Sequence, residues 1–297
     1  MAIQKVGVVG CGLMGHGIAQ VAAQAGCDVT VVETEQGFLD KGLARIQNSV
    51  TKLGQKQVAK GKLDEAQAEQ MVADTLGRLT GSLDRKDLAD CDLVIEAIIE
   101  DLDVKKELFA DLGRICKPET ILASNTSSFP ITEMAEASGR PERVVGLHFF
   151  NPVQLMRLVE VVRTAHTADE VFAAARAFGE AAGKAPVSCK DTPGFVVNRL
   201  LVPYMVQSLL MLDRGDATKE DIDTAMQLGC GHPMGPITLT DYVGLDTTLY
   251  ILKGWVERYP DEPAFGIPKI LERLVSEGKL GRKTGEGFYK WEGDKKS

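Results

Sequence analysis

The chain has 297 residues, 44% of them hydrophobic, with 42 acidic against 34 basic side chains and a formal net charge of -8. That length can bury one large core or two moderate ones, a prior of roughly 150 residues per domain favours two, and the acidic balance speaks against nucleic acid as the main partner. No apolar run approaches the roughly 20 residues that span a bilayer, Met1-Ala2-Ile3-Gln4-Lys5 lacks signal-peptide architecture, and the six cysteines show no Cys-x-x-Cys spacing, so the expectation is a cytoplasmic protein with reduced thiols, no membrane association and no zinc site.

The apolar run Val6, Val8, Val9 predicts a buried parallel strand that leads into Gly10-Cys11-Gly12-Leu13-Met14-Gly15. Ile18 to Ala25 then predicts a helix, ended by Gly26, whose N-terminal amides face a dinucleotide pyrophosphate. Gly10, Gly12 and Gly15 allow the tight turn and the close backbone approach that such a site needs, with Leu13 and Met14 carried on the same turn. A second strand, Val29 to Val32, runs into Glu33, 18 residues past Gly15. A carboxylate there can accept hydrogen bonds from the ribose hydroxyls and repel a 2′-phosphate, and Thr34 and Glu35 follow it rather than Arg or Lys, so the cofactor expected is NAD and not NADP.

Between this strand and the next lies a long insertion, 40–76, in which apolar spacing and the Asp64–Gln67 cap predict two helices. Lys52, Lys56, Lys60 and Lys62 occur there with no acid between Thr51 and Leu63, and the first three, four residues apart, share one face if the helix reaches them. They form either a solvated basic face or a dock for a phosphorylated substrate handle. Strand cores follow at Asp92 to Ala97, Thr120 to Ser124 and Val144 to Phe150, with shorter ones at Leu158 to Val162 and Pro186 to Ser188. A capping box, Thr167-Ala168-Asp169-Glu170, opens the helix between those last two. This alternation predicts an α/β Rossmann-type doubly wound sheet domain over 1–188. Beyond the linker Cys189 to Gly194 the strand signals stop. Helical stretches begin near Phe195, Lys219, Leu245 and Pro268, predicting an all-α C-terminal domain over 189–297 with a loose tail at Asp294 to Ser297.

Of the four histidines, His16, His166 and His232 sit in first-turn, loop or cap contexts that suit ordinary solvated roles. His148 ends an otherwise apolar strand before Asn151-Pro152, where open α/β sheets place their ligands. Glu160, in the apolar stretch Leu158 to Val162, would be costly to bury unpaired. The two make natural partners, a carboxylate fixing the imidazole's tautomer and favouring the imidazolium, which is the geometry of a general base. Ser124-Asn125-Thr126-Ser127-Ser128 leaves the same sheet edge and offers neutral donors or a plain helix cap. Asn198 sits early in the helix after Pro193-Gly194, where it could reach back toward the first domain.

Together with the glycine turn and His148-Phe149-Phe150-Asn151-Pro152, the segments Asp191-Thr192-Pro193-Gly194-Phe195-Val196-Val197-Asn198-Arg199, His232-Pro233-Met234-Gly235-Pro236 and Lys283-Thr284-Gly285-Glu286-Gly287-Phe288-Tyr289 resemble the L-3-hydroxyacyl-CoA dehydrogenases, including bacterial 3-hydroxybutyryl-CoA dehydrogenases, over nearly the whole chain. The resemblance implies an NAD-dependent enzyme that interconverts (S)-3-hydroxyacyl-CoA and 3-oxoacyl-CoA without a metal. It implies His148 as base, Glu160 as its orienting partner, and Ser127 and Asn198 at the substrate's 3-oxygen and acyl region. Glu33, Glu100, Lys105, Ser127, Asn151 and Lys283 would surround NAD, and Ser49 and Lys56, with Lys52 on the same lysine face, would meet the CoA moiety. The family also implies a homodimer formed through the helical domain. Gln154 departs from the small residue or proline that many members carry there, which bears on the acyl pocket. The alternatives are a dehydrogenase of a small free 3-hydroxy acid, such as a sugar acid, and a non-catalytic NAD-binding protein.

Overall fold

Val6, Val8, Val31, Leu93, Ile95, Ile121, Leu122, Val144 and Val145 are all fully buried, as befits strands of a sheet covered on both faces. The computed structural model describes residues 3–297. In chain order the first unit runs β1 (Lys5–Val9), α1 (Gly15–Gln24), β2 (Asp28–Val32), α2 (Gln36–Ala59), α3 (Glu65–Gly77), β3 (Leu79–Ser82), β4 (Leu93–Glu96), α4 (Leu102–Ile115), β5 (Ile121–Ser124), α5 (Ile131–Ala137), β6 (Val144–Phe149), β7 (Leu158–Arg163), α6 (Asp169–Ala181) and β8 (Ala185–Lys190). The strands form one sheet in the order β3-β2-β1-β4-β5-β6-β7-β8. All neighbours are parallel except β6 and β7. β1 lies between β2 and β4, which is the switch point at which doubly wound sheets bind dinucleotides outside their carboxyl ends. The Rossmann-type sheet expected from the sequence is therefore present, with one strand more than its patterning disclosed. β3 is a four-residue, half-exposed edge strand that carries no apolar run to announce it.

The 40–76 insertion is two helices, α2 and α3. Asp64 accepts from Gln67 N while the Gln67 side chain accepts from Asp64 N, so the capping box there is complete. The box expected at Thr167 is absent. Ala168 is the N-cap of α6, because the Thr167 hydroxyl is spent on Val144 O and on Thr164.

The chain divides between Phe195 and Val196, past the 188/189 boundary drawn from the sequence. β8 runs on to Lys190, Asp191 accepts from Ile131 N and Thr132 N at the start of α5, and Phe195 is buried in the core on one face of the sheet.

The second unit holds α7 (Val197–Asp213), α8 (Lys219–Cys230), α9 (Pro236–Val243), α10 (Leu245–Arg258), α11 (Lys269–Ser276) and a terminal hairpin of β9 (Trp291–Glu292) and β10 (Lys295–Lys296). Leu209, Ile237, Leu245, Leu252 and Leu271 are fully buried at its centre. α9 starts with Pro at its first position, a favoured start because that N–H has no helical partner to lose. The tail expected to be loose is instead paired. Ser297 and Lys290 exchange backbone hydrogen bonds, and the Lys296 ammonium lies 3.2 Å from the buried Asp223 carboxylate.

Candidate active site

Three pieces of the first unit meet at the carboxyl edge of its sheet, and a fourth lies on the helical insertion. The first is the glycine turn between β1 and α1. Gly10 has φ 94° and donates to Val32 O at 2.8 Å, which ties the turn to the end of β2. A Cβ on Gly15 would fall 1.8 Å from Gly10 O, whereas one on Gly12 would meet nothing within 4 Å. The turn is thus closed beneath and open above Gly12, and no side chain caps α1, so its first amides are left for an anion. Leu13 is exposed and Met14 half-buried on this turn. Glu33 stands beside it, accepting from Cys11 N at 2.6 Å and Thr34 N at 3.1 Å. These residues fit a dinucleotide: an open cradle for its diphosphate and a fixed carboxylate for a ribose. Burial, and after it the Glu33 charge, push the Cys11 thiol up to about 12, so it remains a neutral packing group. A Cβ on Gly42 of α2 would lie 2.2 Å from the Cys11 sulfur, and this close approach moors the helical insertion to the turn.

The second piece is an ionic network beyond β4 and β5. Lys105, on α4 and 1% exposed, lies 2.5 Å from Glu96 Oε1 and 3.1 Å from Glu100 Oε2. Glu96, fully buried at the end of β4, also accepts from Ser124 Oγ and Ile98 N. Glu100 accepts from Thr126 Oγ1, Ser127 N and Ser128 Oγ. Burial alone would raise the Glu100 carboxyl, but Lys105 and the donors on Thr126 and Ser127 together hold it below the usual range. The loop that carries Ser127 is thereby fastened to the loop after β4. The family resemblance placed Glu100, Lys105 and Ser127 around one cofactor, and here they share a network. Lys105, however, lies beneath that region rather than on its surface.

The third piece is the acid–base pair. His148 on β6 and Glu160 on β7 are direct partners in the antiparallel register, and His148 Nδ1 lies 2.7 Å from Glu160 Oε2. Glu160 is fully buried and His148 5% exposed. A carboxylate so placed holds one ring nitrogen and leaves Nε2 as the one that can exchange a proton with a substrate. Asn125 ties this pair to the Ser127 loop, because its Oδ1 accepts from Phe149 N at 2.9 Å. Asn151 is exposed just after β6. Gln154 donates to Gln20 of α1 at 3.2 Å, so the residue that departs from the family pattern braces a helix with its amide.

The fourth is the face of α2. Ser49, half-buried, and Lys52 and Lys56, exposed, are spaced three and four apart and share that face. α2 ends at Ala59, so Lys60 is its C-cap and Lys62 lies beyond it. Lys56 in the last turn also suits the helix dipole.

Two expected site residues belong to the second unit. Asn198 is half-buried in the first turn of α7, and Lys283 makes an ion pair of 2.5 Å with Asp246. Of the other histidines, His16 contacts Gly12 O at 2.7 Å, and His232 contacts the Tyr204 hydroxyl at 3.3 Å. Sequence reasoning missed Glu96. The signal was present, since Leu93-Val94-Ile95-Glu96-Ala97 sets a lone acid in an apolar strand as Leu158 to Val162 does.

Residues 5–192 match the family model for the 3-hydroxyacyl-CoA dehydrogenase NAD binding domain, and residues 194–291 match that for the 3-hydroxyacyl-CoA dehydrogenase C-terminal domain. The chain is 50% identical over 292 residues to a mitochondrial hydroxyacyl-coenzyme A dehydrogenase of Rattus norvegicus, covering 97% of this chain and 91% of the relative. It is 47% identical over 290 residues to a 3-hydroxybutyryl-CoA dehydrogenase of Mycobacterium tuberculosis, covering 97% and 98%. Among solved structures, an (S)-3-hydroxybutyryl-CoA dehydrogenase from Ralstonia eutropha superposes with a TM-score of 0.91 at 40% identity, covering 98% of this chain and all of that one.

Proposed function

Because the chain belongs to the 3-hydroxyacyl-CoA dehydrogenase family, we propose that the edge carrying His148 and Glu160 is where it performs the family's reaction. The chain is an NAD-dependent 3-hydroxyacyl-CoA dehydrogenase. The observation that carries the residue assignment is the buried His148–Glu160 pair, at the same sheet edge as the glycine turn. Bound at that turn, NAD supplies the hydride acceptor for C3 of the substrate. His148 Nε2 takes the hydroxyl proton as C3 becomes a carbonyl, and Glu160 stabilises the imidazolium that results. In the reverse direction the imidazolium returns that proton to the 3-oxygen. Ser127 and Asn198 hold the 3-oxygen and acyl region, while Glu33, Glu100, Asn151 and Lys283 hold the cofactor.

The named relatives support 3-hydroxybutyryl-CoA and acetoacetyl-CoA as the substrate pair. A free 3-hydroxy acid is disfavoured by the family match. We also assign the chain to a cytoplasmic homodimer. Among the described residues no helix is long and apolar enough to cross a membrane, and the large apolar side chains Leu200, Leu228 and Tyr250 are exposed on the second unit.

An NADH-absorbance assay with acetoacetyl-CoA tests both the reaction and the cofactor. Rapid oxidation of NADH is expected, with kcat/KM for NADPH lower by at least roughly 10²-fold, since Glu33 meets the 2′-phosphate with like charge. No turnover would overturn the reaction, and equal use of NADPH would overturn the role of Glu33.

The face of α2 makes a separate prediction. CoA carries its adenosine phosphates far from the reacting carbon, so contacts there give uniform binding, which shows in KM rather than kcat. Exposed contacts are weak after screening, so Lys52→Ala with Lys56→Ala should raise KM for acetoacetyl-CoA by roughly several-fold, less at high salt. Acetoacetyl-pantetheine, which lacks the nucleotide, should be unaffected. Equal impairment with both substrates would show that the lysines serve the fold instead.

A further inference from the structure

Phe195 has φ 54°, and among the described residues no other non-glycine residue has positive φ. Gly194 before it is also left-handed, at φ 74°. An aromatic side chain in that region is strained, and such strain persists only where the surroundings over-determine it. Here the determinants are visible. Asp191 N donates to Arg163 O at the end of β7, and Phe195 N donates to Thr192 O at 2.9 Å. The Asp191 carboxylate accepts from Ile131 N, Thr132 N and the Thr132 hydroxyl. This tightly held turn delivers the Phe195 ring, 4% exposed, to a position 5.6 Å from the His148 ring at an interplanar angle of 55°. Phe150 lies against the same imidazole at 4.4 Å.

A glycine would satisfy this backbone without strain, so the strain is accepted for the ring, which packs into the core on that face of the sheet and lies against the imidazole. We propose that Phe195 is a positioning residue for His148: it walls the imidazole so that Nδ1 stays on Glu160 and Nε2 stays aimed at the substrate. This deepens the assignment of His148 as base and rests on it. The ring acts by contact alone, since it has no polar group to exchange with substrate.

Phe195→Gly separates ring from backbone, because it keeps the left-handed conformation and removes the wall. Misorientation of a reacting group by an ångström or so costs up to about 10²-fold in rate. The expected result is therefore a kcat lower by roughly 10-fold or more, with KM for NADH unchanged. Phe195→Leu, which keeps apolar bulk, should recover most of that loss. With four histidines in the chain, ¹⁵N-histidine NMR provides a second readout. The downfield Nδ1 proton of the His148–Glu160 hydrogen bond, identified by its disappearance in His148→Gln, should broaden or vanish in Phe195→Gly and persist in Phe195→Leu. Wild-type kcat together with an intact downfield proton in Phe195→Gly overturns the proposal. If Phe195→Gly does not fold, Phe195→Ala, which also removes the ring, carries the test, and wild-type values of both kcat and linewidth in that variant overturn it. Undiminished activity in His148→Gln would instead overturn the base assignment, whatever Phe195 does to the resonance.

Discussion

His148→Gln should lower kcat by roughly 10²–10⁴-fold, the range of general acid–base catalysis, while leaving NADH affinity and folding nearly unchanged. Glutamine keeps a polar side chain of similar reach but cannot hold a proton in transit. Glu160→Gln should act through the same group, because Glu160 is fully buried with its carboxylate 2.7 Å from His148 Nδ1. Once His148 is gone, the carboxylate has nothing left to orient. The double variant should then be damaged far less than the product of the two single effects, as for residues that act as a unit. Steady-state kinetics on the four members of this cycle decide the matter. Strictly multiplicative losses would mean that Glu160 supports the strand pairing and not the base. Glu160→Gln should also destabilise the fold somewhat, which is why kcat per folded molecule is the quantity to compare.

The His148–Glu160 pair was legible because both residues interrupt apolar strands, and a charge in such a strand must find a partner. That they are register partners on antiparallel strands was not legible, since the sequence says nothing of strand direction. The glycine turn and Glu33 were legible for a related reason: a left-handed Gly10 and a Gly15 without room for a Cβ are demands that only one residue type meets. The α9 helix was not among the helical starts expected from the sequence, although Pro236 at its first position is a start signal. The Thr167 box failed because a local cap competed with a longer-range acceptor, Val144 O, and local patterns cannot register such competition. The division of the chain moved beyond Ser188 for a similar reason, since the hydrogen bonds of Asp191 run to α5, some 60 residues back.

Lys105→Met should be the most destabilising single change at this edge, by about 3–5 kcal/mol, because it breaks a buried ion pair and leaves a carboxylate uncompensated. Glu96 is fully buried, and without Lys105 only Ser124 Oγ and Ile98 N would face it. Glu100 is affected differently. Its carboxyl sits below the usual range in part through Lys105, so its contribution to stability is present above the ordinary glutamate pKa and lost as pH falls through the lowered one. In Lys105→Met that acid-side dependence should shrink. The informative variant is the double, Lys105→Met with Glu96→Gln, which removes both charges of the closest pair. Replacing such a pair by neutral groups of similar size is often close to neutral, so urea denaturation should recover most of the loss. NADH affinity then separates two roles for Lys105. Its ammonium is 1% exposed and engaged by two carboxylates, so its effect on the cofactor should run through Glu100 and the Ser127 loop, and the double variant should bind NADH within a few-fold of wild type. Recovered stability with NADH binding still lost would show a direct contact, and Lys105 would then have to leave both carboxylates to make it.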